Sequence, residues 1–191
     1  MEKTTALALP SSSLRGVRQY AIVVGATLFI AVCAHITLPL PLSPVPLTLQ
    51  NFAVLLVGLI LGWRRGLAAL VLYLAEGAAG MPVFNPTGPG GLAQLFGPTG
   101  GFLLAYPWVA ALAGWIFFAG RKTLARAVGA GIAAEILLFT SGTLWLALLS
   151  HSFYQAAHFA LFWGFLPAEL IKVMAAAVIA SGRWRAEKAT P

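Results

Sequence analysis

Long apolar stretches alternate along this chain with short clusters of basic residues. Between the clusters lie residues 19–63, 66–120 and 127–182, which are 45, 55 and 56 residues long. A single membrane-spanning helix needs about 20 apolar residues, so each interval is too long for one crossing and suits a hairpin of two helices. The clusters hold all but one of the 12 Lys and Arg residues: Lys3, Arg15 and Arg18; Arg64 and Arg65; Arg121, Lys122 and Arg126; and Arg183, Arg185 and Lys188.

Each interval has a midpoint that is rich in turn-forming or polar residues and lacks Lys and Arg. The midpoints are residues 39–46, 77–101 and 150–155. Cytoplasmic loops of membrane proteins attract Lys and Arg, whereas short exported loops lack them. The pattern therefore predicts an all-α membrane protein with both termini in the cytoplasm and six transmembrane helices, at about 19–38, 47–63, 66–81, 98–120, 127–149 and 156–181.

Composition excludes a soluble protein. Hydrophobic residues make up 60% of the chain and charged residues only 9%, whereas a soluble domain carries about 25% charged residues. The formal net charge of +7 would suggest a nucleic-acid partner in a soluble protein, but the placement of the basic residues between apolar spans explains it here. We expect a lipid bilayer around the chain and no nucleic acid. One membrane domain is predicted over 1–191, with cytoplasmic tails at 1–18 and 183–191 and the bundle at 19–182.

The second midpoint, residues 77–101, holds eight glycines and four prolines in 25 residues and cannot form one continuous helix. Apolar residues such as Val83 and Phe84 make it unlike a solvated loop. Irregular backbone at membrane depth is tolerated where it is buried in protein or lines a cavity. We therefore predict a partly re-entrant external loop; a structural plug and a long surface turn are the alternatives. With the proline-rich residues 39–46 it would form a lid on the outer face.

Four ionisable residues lie inside the apolar stretches: Glu76, Glu135, Glu169 and Lys172. A charged group at membrane depth costs about 2.5–3.5 kcal/mol, so it normally faces the bundle interior and serves a function. Glu169 and Lys172 are three residues apart, on one helix face, and form either a ligand-binding pair or a structural ion pair. Glu135 is open to a structural or a functional role, and Glu76 to a helix-end role or a ligand contact.

Catalytic and metal-binding patterns are weak. One cysteine, Cys33, and three histidines without a dense acidic cluster make a metal site unexpected. No G-x-x-x-x-G-K-[ST] phosphate loop occurs, so the chain does not hydrolyse ATP through that fold. We predict that it is not an enzyme and carries no cofactor. In the first span, Ala21-x-x-x-Gly25 forms a small-residue face that would let a partner helix approach closely.

Three segments carry a family resemblance: VPLTLQNFAVLLVGLILGWRRG at 45–66, GMPVFNPTGPGGLAQLFGPTGGFLLAY at 80–106 and PAELIKVMAA at 167–176. They resemble the BioY family, the biotin-specific substrate-binding subunits of energy-coupling-factor transporters. Order and spacing match from about residue 20 to 182. The GPTGG motif at 97–101 together with GxPVF at 80–84 is specific. The resemblance implies six membrane helices with external lid loops in a bacterial cytoplasmic membrane.

The resemblance also implies a function and its residues. It assigns biotin capture and uptake to the chain, with a transmembrane coupling protein (T component) and two ABC ATPases as partners. Asn85, Glu169 and Lys172 match biotin-contacting positions, although Glu169 stands where the family usually has Asp; Gln94 is a weaker candidate. Ala21 and Gly25 are the candidate contact with the coupling protein. The alternatives are a subunit for another vitamin and an intramembrane enzyme acting on a lipid-like substrate.

Overall fold

Helices account for nearly all regular structure in the computed structural model of this chain, which describes residues 11–40, 43–160 and 165–189. A short antiparallel pair of strands, β1 and β2, joins the first two helices. The prediction of an all-α protein is confirmed. The elements are α1 Ser11–His35, β1 Thr37–Leu38, β2 Leu47–Thr48, α2 Gln50–Leu61, α3 Trp63–Ala78, α4 Gly91–Phe96, α5 Gly100–Phe118, α6 Leu124–Ser150, α7 Phe153–Ala160 and α8 Phe165–Ala189.

Five of the predicted spans correspond to single helices: α1, α2, α3, α5 and α6. Within the described residues, three helices are long and apolar enough to cross a membrane: α1 over Gly16–His35, α5 and α6. α2 has 12 residues and spans about 18 Å, less than the hydrocarbon core. The sixth predicted span, 156–181, overlaps both α7 and α8, on either side of residues 161–164, which lie outside the described residues. The count of six crossings stays a prediction.

Helices extend into the segments predicted as tails: α1 already begins at Ser11 and α8 continues to Ala189. The assignment of 1–18 and 183–191 as cytoplasmic tails stays a prediction. Arg and Lys are good helix formers and extend their charged ends to the membrane surface, so a helix can continue past its apolar window. Residues 1–10 and 190–191 of the predicted tails lie outside the described residues.

Small residues allow the central helices to approach closely. α5 packs against α2, α3 and α6. At Gly58 of α2, an added Cβ would lie 2.3 Å from the carbonyl oxygen of Ala110 on α5. At Gly142 of α6, an added Cβ would lie 2.1 Å from the ring of Phe102. Close packing of this kind drives helix association in a bilayer. The hydrophobic effect does not do so, because lipid acyl chains are as apolar as the side chains of the helices.

The basic clusters lie at one end of the bundle. Arg64 follows the end of α2, and Arg126 donates from Nε to the carbonyl oxygen of Ile116 at 2.7 Å, which caps the last turn of α5. The Lys122 ammonium lies 3.3 Å from the ring centroid of Trp184 on α8, a cation–π contact. The strand pair and residues 77–101, the glycine-rich loop, lie at the opposite helix ends. The bundle therefore has one basic end and one loop-covered end.

We expect Gly58→Ala to destabilise the bundle. The added methyl would meet the backbone of α5, and overpacking costs about 1–3 kcal/mol, more than the helix propensity gained. Gly129→Ala is the matched control, since nothing lies within 4 Å of its added Cβ. Thermal unfolding in detergent should give a lower Tm for Gly58→Ala and an unchanged or higher Tm for Gly129→Ala. Equal Tm values would contradict the packing described for α2 and α5.

Candidate functional site

A cavity lies at the loop-covered end, between β2, α2, the glycine-rich loop, α5, α6 and α8. Its enclosed volume is about 40 Å³. Small-molecule sites typically span about 300–1,000 Å³, so the walls of this cavity lie close together and leave it narrow in this structure. Its apolar wall comprises Val45, Pro46, Phe102, Leu103, Leu138 and Phe139. Its polar wall comprises Thr48, Gln50, Asn51, Asn85, Thr99, Tyr106 and Glu169.

The proline-rich segment covers one side of this cavity. β1 and β2 pair with Thr37 opposite Thr48, which fixes the base of the segment. Val45 and Pro46 then border the cavity, and the backbone N–H of Val45 donates to Ser43 Oγ at 3.1 Å. The predicted stiff, extended segment thus contributes directly to the cavity wall; its residues 41–42 lie outside the described residues.

The glycine-rich loop is fastened into the bundle by two aromatic donors. The Tyr73 hydroxyl on α3 donates to the carbonyl oxygen of Val83 at 2.7 Å, and Trp145 Nε1 on α6 donates to that of Gly97 at 2.9 Å. Phe84 is buried against Gly77, where an added Cβ would lie 2.1 Å from the ring. These contacts bury irregular backbone inside the protein, as the re-entrant prediction requires.

Asn85 brings its amide to the cavity wall. Its Oδ1 accepts hydrogen bonds from the backbone N–H and the hydroxyl of Thr87, which closes a local turn. With the oxygen engaged in this way, the amide nitrogen is the group left to meet a ligand. Asn85 therefore offers a hydrogen-bond donor to the cavity.

Gln94 has a different place from the one considered above. It is almost fully buried, and it is not among the residues that border the cavity. Its Nε2 donates to the carbonyl oxygen of Asn85 at 3.3 Å, and its Oε1 accepts from the backbone N–H of Gly90 at 3.1 Å. The structure gives Gln94 the role of bracing the loop that carries Asn85, because both ends of its amide are used there.

Four polar side chains from three helices form a hydrogen-bonded cluster beside the cavity. Asn51 on α2 donates from Nδ2 to Glu135 Oε1 on α6 at 2.6 Å and to Glu169 Oε2 on α8 at 2.7 Å. Lys172 Nζ lies 2.7 Å from Glu169 Oε1. All four residues are buried. The predicted contact between Glu169 and Lys172 is present, and Asn51 links it to the second acid.

Two oxygens of this cluster have no hydrogen-bond partner among the described residues: Asn51 Oδ1 and Glu135 Oε2. Asn51 and Glu169 border the cavity, whereas Glu135 and Lys172 are not among its lining residues. Lys172 therefore reaches the cavity through Glu169. Buried ion pairs are tolerated when further hydrogen bonds satisfy the charged groups, which is what Asn51 supplies here.

The sequence interpretation missed Asn51. The signal available was a polar Gln50–Asn51 pair that directly precedes the apolar run of α2. Gln50 borders the cavity too, and its Nε2 donates to the Tyr73 hydroxyl at 2.9 Å. Glu76 lies away from this site, where its Oε1 accepts from the Thr27 hydroxyl at 3.2 Å and links α3 to α1.

Ala21 and Gly25 lie on an exposed face of α1, and an added Cβ at Gly25 would meet nothing within 4 Å. The opposite side of α1 is buried through Ala26, Ile30 and Cys33. The described residues contain no group of three or more His, Cys, Asp or Glu side chains that could hold a metal ion. The cavity is thus the candidate site for an organic ligand.

Comparison with known proteins places the chain. Residues 2–189 match the sequence model of the BioY family. The chain belongs to the BioY family. It is 37% identical over 142 residues to biotin transporter BioY2 of Lactococcus lactis subsp. cremoris (strain MG1363), a match that covers 74% of this chain and 76% of that protein. It is 35% identical over 157 residues to biotin transporter BioY of Thermotoga maritima, covering 81% and 88%.

A solved structure has the same fold. The crystal structure of the S-component for biotin from an ECF-type ABC transporter superposes on this BioY-family chain with a TM-score of 0.80, at 24% sequence identity. The match covers 93% of this chain and 95% of that one. The family resemblance read from residues 45–66, 80–106 and 167–176 is confirmed, and so is the helical membrane-protein class.

Proposed function

We propose that this chain captures biotin and carries it across the bacterial cytoplasmic membrane as the substrate-binding subunit of an ECF-type ABC transporter. The observation that carries the proposal is the family match over residues 2–189. Relatives at 35–37% identity are named biotin transporters, and none of these names describes an enzyme. Biotin is the transported substrate, and no cofactor takes part. Transport of biotin is therefore favoured over transport of another vitamin and over intramembrane catalysis.

The chemistry of the cavity supports this ligand. Biotin offers two ureido N–H donors and one ureido carbonyl acceptor, a largely apolar fused ring and an anionic valerate. Glu169 presents carboxylate acceptors, Asn85 presents an amide donor, and the rings of Phe102 and Phe139 line the apolar wall. Two carboxyl groups lie close together beside the cavity and repel an anion. The ureido end of biotin therefore faces the hydrogen-bonded cluster that contains Glu135 and Glu169, and the valerate points away from it.

The placement of charge supports a cavity that opens to the outside. The basic residues lie at the bundle end opposite the loops, and cytoplasmic ends attract Lys and Arg. Exposed apolar side chains on the outer surface, such as Leu28, Leu148 and Ile171, face lipid. In this arrangement the chain forms one membrane domain that crosses the bilayer several times, and both termini are cytoplasmic.

Energy for uptake must come from partners, because the chain has no phosphate-binding loop of its own. The partners are a transmembrane coupling protein and two ABC ATPases. The exposed Ala21–Gly25 face of α1 is the coupling contact, since its small residues admit a helix to close range.

We expect Lys172→Ala to weaken biotin binding about tenfold to a hundredfold. Without Lys172, Glu169 would no longer be held in position to accept from the ligand, and a hydrogen bond to a charged group is worth about 1.5–3 kcal/mol. Glu169→Gln should also weaken binding, whereas Glu169→Asp keeps the charge and should retain it. Lys122→Ala, at the basic end, is the matched control and should leave affinity unchanged. Isothermal titration of purified protein with biotin measures all four. Wild-type affinity in a folded Lys172→Ala variant would make the pair purely structural.

We expect Gly25→Leu to impair assembly with the coupling protein and the ATPases but to leave biotin binding intact. A leucine would keep a partner helix at a distance, while no residue of α1 borders the cavity. Gly129→Leu places the same side chain on an exposed position of α6 as a control. Co-purification of tagged complexes and biotin titration give the two readouts. Full assembly by Gly25→Leu would exclude this face as the contact.

The orientation in the membrane can be tested with reporters. A cytoplasm-active reporter fused after Lys122 should be active, and a tag inserted near Thr87 should react with an external, membrane-impermeant reagent. These outcomes are expected because the two positions lie at opposite bundle ends. The reverse pattern at both positions would overturn the proposed orientation.

A further inference from the structure

The orientation of the Asn51 amide is chemically forced. Both of its contacts on the nitrogen side are to carboxyl oxygens, Glu135 Oε1 at 2.6 Å and Glu169 Oε2 at 2.7 Å. An amide nitrogen carries two N–H donors, and the amide oxygen is an acceptor only. If the amide turned around, its oxygen would face the two acids, and a carboxylate, which only accepts, would give it no hydrogen bond. The two acids therefore hold Asn51 with its oxygen directed away from them.

The Asn51 oxygen is left without a donor. Oδ1 is buried and has no hydrogen-bond partner among the described residues, while the side chain borders the cavity. Asn51 as a whole is only 4% exposed. A buried acceptor without a partner is destabilising, because it has lost its hydrogen bonds to water. A ligand that brings an N–H group into the cavity would remove this cost.

We propose that Asn51 is a specificity-determining residue whose carbonyl oxygen accepts one ureido N–H of biotin, and that Glu135 is a positioning residue that holds the Asn51 amide in that orientation. The inference rests on the proposed function, because biotin supplies the donor. It deepens that function by assigning an acceptor to the second ureido N–H, since the two oxygens of Glu169 already accept hydrogen bonds from Lys172 and Asn51.

Glu135 acts through Asn51 rather than on the ligand. It is buried but does not border the cavity; it borders instead the apolar groove between α6 and α8. Its Oε1 accepts from Asn51, and no other contact links it to the cavity among the described residues. Without this acceptor, one N–H of Asn51 would be free and the amide could rotate.

Two acceptors facing two donors make a selective arrangement. A site built to hydrogen-bond a ligand N–H rejects an analogue that lacks it, because the buried acceptor is then left unpaired. For a single neutral acceptor we expect a loss of about tenfold. Cyclic carbamate analogues of biotin, in which oxygen replaces one ureido N–H or the other, keep the shape and remove one donor each.

The test measures affinities for biotin and both carbamates by isothermal titration. Wild-type protein should bind each carbamate at least about tenfold more weakly than biotin. Asn51→Leu, which keeps the branching of the side chain at Cγ but removes the acceptor, should bind biotin more weakly and should no longer discriminate against one of the two carbamates. The other carbamate, whose missing N–H faces Glu169, should still be rejected. Asn51→Leu combined with Glu135→Gln lowers the acidic charge and provides the same readout if the single variant does not fold.

The positioning role has its own readout. Glu135→Gln keeps an oxygen that accepts from Asn51 and should retain discrimination against both carbamates. Glu135→Leu removes the acceptor and should lose discrimination against the same carbamate as Asn51→Leu. A purely structural role for Glu135 would lower Tm in both variants without changing the ratio of affinities.

The outcomes separate the two proposals. If wild-type protein does not bind biotin, the proposed function fails. If it binds biotin and binds each carbamate as tightly as biotin, no buried acceptor distinguishes the ureido donors, and the role of Asn51 is overturned. Full discrimination against both carbamates in the Asn51 variants would also overturn it, while leaving biotin capture intact.

Discussion

The bundle has to hold two carboxyl groups and one ammonium group within its apolar interior, and the amide of Asn51 is what connects them. Each charge at membrane depth is costly unless it is paired and hydrogen-bonded. Lys172 meets one oxygen of Glu169, and Asn51 donates to the other and to Glu135. This requirement ties α2, α6 and α8 to one arrangement, because a shift of any of the three helices would separate a charged group from its partner.

The close helix packing and the cavity depend on the same small residues. Gly77 leaves room for the Phe84 ring beneath the glycine-rich loop, and Gly101 leaves room for Trp145, which fastens the loop through Gly97. An added Cβ would overlap the Phe84 ring at Gly77 and the Trp145 side chain at Gly101, far inside normal contact distance. The loop can enter the bundle and present Asn85 because Gly77 and Gly101 have no side chains that would occupy this space. The glycines of this segment are packing residues as much as turn residues.

Much of the architecture could be predicted from the sequence, since its signals are local. The basic clusters located the basic bundle end, and a spacing of three residues predicted the contact between Glu169 and Lys172. The two partners of Asn51, Glu135 and Glu169, lie 84 and 118 positions further along the chain. No periodicity within one helix indicates such a pairing. The bracing role of Gln94 could not be predicted for a different reason. The sequence does not show whether a glutamine amide faces a ligand or hydrogen-bonds to its own loop. The start of α1 at Ser11 and the end of α8 at Ala189 were not predicted, because hydropathy locates the apolar part of a helix and not its ends.

The position of α2 links ligand capture to the proposed coupling surface. α2 begins with Gln50 and Asn51 at the cavity, and it packs against both α8 and α1. α1 buries one side against α2 and α3 and exposes the Ala21–Gly25 face on the other. A partner on that face is therefore one helix away from the residue that we assign to the ureido group. Gly58 brings α2 into close contact with α5, where an added Cβ would meet the backbone of Ala110. Since α2 has only 12 residues and is too short to cross the membrane unaided, its position is set by the helices that pack against it.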